Sequence, residues 1–94
     1  MPQFVLICID KPDALEVRMA AREAHLAYIR ERIGQVKLGG PFLDEKGDMA
    51  GSMLILEVGD RAEAEAFNRD DPYTKAGLFE RVEIRPFRAT IGQS

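Results

Sequence analysis

Gln3-Phe4-Val5-Leu6-Ile7-Cys8-Ile9 is, after its first residue, an unbroken apolar run rich in β-branched side chains, and Lys11-Pro12-Asp13 stops it abruptly. Such a run reads as a strand apolar on both faces. Downstream, Leu15, Met19, Leu26, Ile29 and Ile33 recur at helical spacing, which predicts an amphipathic helix over 14–33. Asp13 with Glu16 three residues on resembles a capping box at its start, and Gly34 is placed to end it. Val36 to Leu43 reads as a second strand, interrupted by Gly39-Gly40-Pro41, where paired glycines mark a bulge or a close backbone approach. Asp44 to Asp48 is a polar hairpin turn, and Ser52 to Val58 is a third strand, again apolar on both faces. Asp60, with Glu63 three residues on, caps a short helix that ends near Asn68. Asp71-Pro72-Tyr73 makes a corner, Thr74 to Leu78 an irregular turn, and Arg81 to Phe87 alternates as a fourth strand.

The resulting order, β-α-β-β-α-β, is that of a ferredoxin-like α+β fold: an antiparallel sheet with two helices on one face. The strands carry apolar residues on both faces, so the uncovered face is expected to be an interface. Two copies of the chain packed sheet to sheet would cover it. The 94 residues are expected to form one domain, 1–94, with 89–94 as a tail.

Composition narrows the possible functions. A chain this short buries only about 60–65% of its unfolded surface, which favours pairing into a homodimer. A net charge of −3 offers no electrostatic footprint for nucleic acid. No run approaches the ~20 apolar residues of a membrane span, and no basic leader precedes the first strand. The expectation is a cytoplasmic protein that binds neither membrane nor nucleic acid. One histidine and one cysteine cannot form a His/Cys metal cluster within one chain. A carboxylate-only Mg²⁺ or Ca²⁺ site stays open, but no loop has EF-hand spacing, and the expectation is no metal and no cofactor. Cys8, inside the apolar run, reads as an inert buried thiol.

The candidate chemistry centres on His25. Histidine is the side chain whose unperturbed pKa allows proton exchange near neutrality, and a carboxylate that fixes its tautomer makes it a general acid or base. On the helical wheel His25 falls beside the apolar stripe, between core and solvent. Asp71 would serve it if the fold brings the two together, although Asp before Pro is also a common turn cap. Asp70, its neighbour, points elsewhere. Arg22 and Arg18 could hold an anionic substrate or simply be solvated. Tyr73 could offer its phenol, and Gly39 and Gly40 could admit a ligand to the backbone. The sequence has no glycine-rich phosphate loop and no nucleophile elbow.

Taken as an ordered set, these pieces resemble the YciI-like, YCII-related family. The matching residues are Arg22-x-x-His25-Leu26, Gly40-Pro41, Gly51-Ser52, Asp71-Pro72-Tyr73, Ala76-Gly77, Glu80, Val82 and Pro86-Phe87. The resemblance implies a ferredoxin-like subunit that dimerises into an α/β-barrel-like assembly, with a pocket holding a His–Asp pair, here His25 and Asp71. Relatives are similar in fold to muconolactone isomerases, and some are linked to breakdown of aromatic compounds, including elimination of HCl. Glu23 stands where some relatives carry proline.

The reading is therefore a cofactor-free lyase or isomerase acting on a small enolisable cyclic compound. His25 is the acid–base group, Asp71 its orienting partner, Arg22 a candidate for a substrate oxyanion, and Gly40, Ser52 and Tyr73 pocket residues. The rival is a non-catalytic dimeric binding or accessory protein in which the pair is structural.

Overall fold

The computed structural model describes residues 1–92 and carries four strands and two main helices. Strand β1 (Gln3–Asp10) leads into helix α1 (Leu15–Glu31), a single 3₁₀ turn (Ile33–Gln35), β2 (Val36–Leu43) and β3 (Met49–Glu57). Helix α2 (Arg61–Asp70), the one-turn helix α3 (Pro72–Lys75) and β4 (Phe79–Phe87) complete the chain. The sheet is antiparallel with order β2-β3-β1-β4. This is the ferredoxin-like arrangement, and the short α3 occupies the expected corner and irregular turn.

Strand alternation decides where the core lies. Phe4, Leu6 and Cys8 on β1, with Leu54 and Leu56 on β3 and Val58 just beyond it, point to the helical side, where Tyr28, Ala64 and Phe67 complete the core. Val5, Ile7, Ile9, Met53 and Ile55 point the other way and stay half-exposed. Within this chain the strands are thus covered on one face, in contrast to the two-sided cover that their apolar runs suggest.

Four further expectations are corrected. Asp13 is not a helix cap: it adopts a left-handed φ of 56°, and Ala14 holds the cap position without a side-chain hydrogen bond. An Asp tolerates that turn conformation, and the turn carries its carboxylate away from the helix start. Gly34 does not end α1, which stops at Glu31; the glycine lies in the following 3₁₀ turn. The irregularities of β2 fall between Val36 and Leu38 and between Phe42 and Leu43, so Gly39-Gly40 is not a bulge. Gly39 instead serves close packing, because a Cβ there would run into Leu54.

The fourth correction concerns α1. Its buried residues are Arg18, His25 and Tyr28, whereas Leu15 and Met19 are exposed. The inward stripe runs through 18, 21, 25 and 28, rotated from the apolar one. Polar atoms along it are paired: Tyr28 donates its hydroxyl to the Phe67 carbonyl at 2.7 Å. Paired polar groups bury at little cost, and a stripe built from them is invisible to hydrophobic periodicity. Asp60 caps α2 as expected, accepting from the Glu63 N–H at 2.9 Å. The expected tail, 89–94, has no regular structure through residue 92, and 93–94 lie outside the described residues.

Candidate functional site

His25 and Asp71 are 46 positions apart in sequence and meet between α1 and α3. Imidazole Nδ1 lies 2.9 Å from Asp71 Oδ1 and 3.1 Å from Oδ2. An ionised carboxylate only accepts, so Nδ1 carries the proton and Nε2 is left with its lone pair when the ring is neutral. Oδ1 also accepts from the Tyr73 N–H at 2.9 Å, which makes Asp71 the N-cap of α3. Both readings of Asp71, imidazole partner and turn cap, are realised by one oxygen.

Tyr73, the second residue of α3, lies against the imidazole with ring centroids 4.0 Å apart and planes 15° from parallel. Against the same tyrosine ring sits the Arg18 guanidinium, its Cζ 4.6 Å from the centroid. Arg18 is almost wholly buried, at 2% exposure. Its Nε and Nη2 donate to the two Asp10 carboxylate oxygens at 2.8 Å each, and Nη2 also donates to Ser52 Oγ at 3.0 Å. Burial works against the Arg18 charge, but the Asp10 carboxylate outweighs it and holds the guanidinium above its ordinary value. Burial raises the Tyr73 phenol above its usual range, although Arg18 and Arg22 pull the other way. Burial also pushes the Cys8 thiol up to about 12, with the Asp71 charge adding to the shift. This thiol is a core hydrophobe rather than a nucleophile.

A cleft of about 290 Å³ opens between the second half of α1 and strands β2 and β3. Leu26, Ile29, Val36, Leu38 and Leu54 supply apolar walls, and Arg18, His25, Ser52 and Tyr73 line its polar end. Gly40 is in the wall as expected, and Arg22 is an exposed residue at the rim. At the polar end His25 Nε2 has no hydrogen-bond partner among the described residues, whereas the Tyr73 hydroxyl and the Arg18 guanidinium interact with each other. Yet no buried side-chain nitrogen or oxygen is left unpaired. His25 Nε2 therefore keeps some exposure, and His25, Tyr73 and Arg18 all line the cleft. Among the described residues, no three His, Cys, Asp or Glu side chains are grouped to hold a metal ion.

His25, Asp71, Ser52 and Tyr73 are brought together, with Gly40 and Arg22 at the edges. Sequence reasoning missed the central position of Arg18 and the whole contribution of Asp10. A signal for Asp10 was present: alternation through 4, 6 and 8 carries residue 10 to the helical face.

Comparison with known proteins gives a consistent picture. The YCII-related domain model matches residues 2–88. Protein YciI of Escherichia coli O6:H1 is 34% identical over 93 residues, covering 90% of this chain and 95% of that protein. Among solved structures, the 5-chloro-2-hydroxyhydroquinone dehydrochlorinase of Burkholderia phenoliruptrix AC1100, in complex with 2,5-dihydroxybenzoquinone, superposes with a TM-score of 0.88. That enzyme is 34% identical, with 94% of this chain and 95% of its own covered. An antibiotic biosynthesis monooxygenase at 17% identity and TM-score 0.58, covering 96% of this chain and 99% of its own, shares the fold alone. No helix among the described residues is long and apolar enough to cross a membrane.

Proposed function

This chain belongs to the YCII-related domain family, and from that premise we propose that it is an acid–base enzyme, a lyase or isomerase acting on a small enolisable cyclic compound. The observation that carries the reading is the division of labour on one imidazole. Asp71 occupies Nδ1, which leaves the basic Nε2 to the cleft.

In this reaction Nε2 takes a proton from a carbon or hydroxyl of the substrate, and the bonding pair moves into the ring system onto a conjugated oxygen. The enolate then follows one of two routes. Either it is reprotonated by His25 at another carbon, or it expels an anionic leaving group such as chloride while the proton passes from His25 to water. Asp71 holds the imidazole in its reactive tautomer and stabilises the imidazolium, a contribution on the order of 10²–10⁴-fold for the acid–base pair. The dehydrochlorinase relative supports the elimination route. No step requires a cofactor. Ser52, Tyr73 and Gly40 shape the cleft, and Arg22 attracts anions at its rim.

The working unit in this proposal is a homodimer. Val5, Ile7, Ile9, Met53 and Ile55 form a half-exposed apolar sheet face, continued by the exposed Phe42 and Phe87, and a second copy would cover it sheet to sheet. One observation favours a purely structural role for the pair: Asp71 caps α3 with the same oxygen that binds His25. Replacing His25 by Ala decides between the two. The enzyme reading expects loss of turnover with a folded protein on chlorinated hydroxyhydroquinones and related enolisable rings. A folded variant with undiminished turnover overturns it.

A further inference from the structure

We propose that Arg18, rather than the rim residue Arg22, receives the negative charge of the substrate. The ligand class it selects is a flat, single-ring organic anion whose charge is conjugated through the ring. The inference rests on the acid–base reading of the same cleft and adds to it the identity of the group facing the base.

Arg18 is an unusual cation for a helix face because it is fixed on three sides. Asp10 grips it through two bonds, Ser52 accepts a third, and the Tyr73 ring lies beside it. A guanidinium offers five N–H donors in one plane. Three are spent on Asp10 and Ser52, and the Nη1 pair remains for the Tyr73 hydroxyl and a ligand in the cleft. Tyr73 is the common spacer, with the His25 ring and the Arg18 Cζ each close to its centroid. Base and cation are thus held at a set separation by one rigid ring. A substrate that gives its proton to Nε2 at one end can present its new oxyanion to Nη1 and the Tyr73 hydroxyl at the other. Because burial keeps Tyr73 protonated, its hydroxyl remains a donor. The fixed dipoles need no rearrangement as charge develops, which is the condition for electrostatic stabilisation of a transition state.

The cleft's size and walls complete the ligand class. A volume of about 290 Å³ lies at the small end of ligand sites, and aliphatic side chains form its sides. Arg22 shares the rim but is exposed, so its charge is screened by salt.

The test uses 2,5-dihydroxybenzoquinone as the anionic probe and phenol as a neutral one, titrated into the full chain. Arg18→Gln should weaken binding of the anion by about tenfold or more and leave phenol within about threefold. That loss should persist at high salt. Arg22→Gln should cost about threefold or less at low salt, and the difference should vanish at high salt. If Arg18→Gln fails to fold, the wild-type protein still answers. With ¹⁵N,¹³C-arginine labelling, saturating probe should shift the Arg18 guanidinium resonances more than those of Arg22. The proposal is overturned if the wild type shows no saturable binding, if only the Arg22 signal moves, or if folded Arg18→Gln binds the anion normally. His25→Ala separates the two levels: it should keep probe binding and lose turnover. A variant that keeps both removes the acid–base reading while the anion site stands.

Discussion

Asp71 Oδ1 accepts two hydrogen bonds at 2.9 Å, one from His25 Nδ1 and one from the Tyr73 backbone N–H. One oxygen therefore fixes the orientation of the base and starts the helical turn that stacks Tyr73 against it. The position of Tyr73 and the orientation of the imidazole depend on the same atom.

Asp71→Asn keeps a side-chain oxygen for the Tyr73 N–H, so α3 should form and stability should fall by about 1–3 kcal/mol. What changes is the imidazole. Without a carboxylate to accept from Nδ1–H, the Nε2–H tautomer becomes accessible. Ring ¹⁵N shifts should show an Nδ1–H tautomer in the wild type and a mixture in the variant, with activity down by at least about tenfold. Identical ring spectra would remove Asp71 from the mechanism.

Tyr73→Phe retains the stacked ring and removes only the hydroxyl that faces the cleft. Since that hydroxyl's neighbour is the Arg18 guanidinium, already held by Asp10 and Ser52, stability should move by about 1 kcal/mol or less. Steady-state kinetics should reveal poorer binding or slower turnover of an anionic substrate. Unchanged kinetics would make Tyr73 a spacer and nothing more.

Cys8 sets a pH dependence of stability. Its thiol titrates near 12 in the folded protein against an ordinary value of 9.0. Above pH 9 the unfolded chain sheds this proton and the native state keeps it, so stability declines as pH rises from about 9 towards 12. The slope from this one group is about 1 kcal/mol per pH unit. Below pH 9 it contributes no slope. Urea unfolding at pH 8 and pH 10.5 should show a steeper loss for the wild type than for Cys8→Ala, and parallel losses would contradict the assignment. Iodoacetamide should label native Cys8 slowly at pH 8.

The bare sheet face makes its own prediction. Ile7 lies at its centre, paired with Met53 on one side and Glu83 on the other. Light scattering should give twice the 10.5 kDa chain mass for the wild type, and Ile7→Glu should shift the protein towards a less stable monomer. A monomeric wild type at high micromolar concentration would end the dimer proposal.

Much of the fold was legible because strands β1 and β3 and the capped start of α2 are encoded locally. The His25–Asp71 pairing was legible only through the family resemblance, because the Asp-Pro-Tyr corner by itself reads equally well as a turn cap. The inward face of α1 was not, for a definite physical reason. Arg18, His25 and Tyr28 are buried by virtue of Asp10, Asp71 and the Phe67 carbonyl, all distant in sequence. Apolar periodicity located Leu26, Ile29 and Ile33 instead, which line the open cleft, with Ile29 also packing on the edge of the core. Gly34 and Asp13 misled because each has a common role at helix ends that the tertiary path did not require.

The cleft has two walls of different character. His25 and Tyr73 sit in the buried layer, tied to one another and to the core. Opposite them runs β2, an edge strand whose residues from Lys37 to Leu43 are all exposed. Changes at positions 37, 38 and 41 alter the shape and charge met by a ligand while the reactive layer is untouched. Under the proposed function, a lineage could therefore exchange one ring compound for another through a few substitutions on a single outer strand, with His25 and Asp71 left in place.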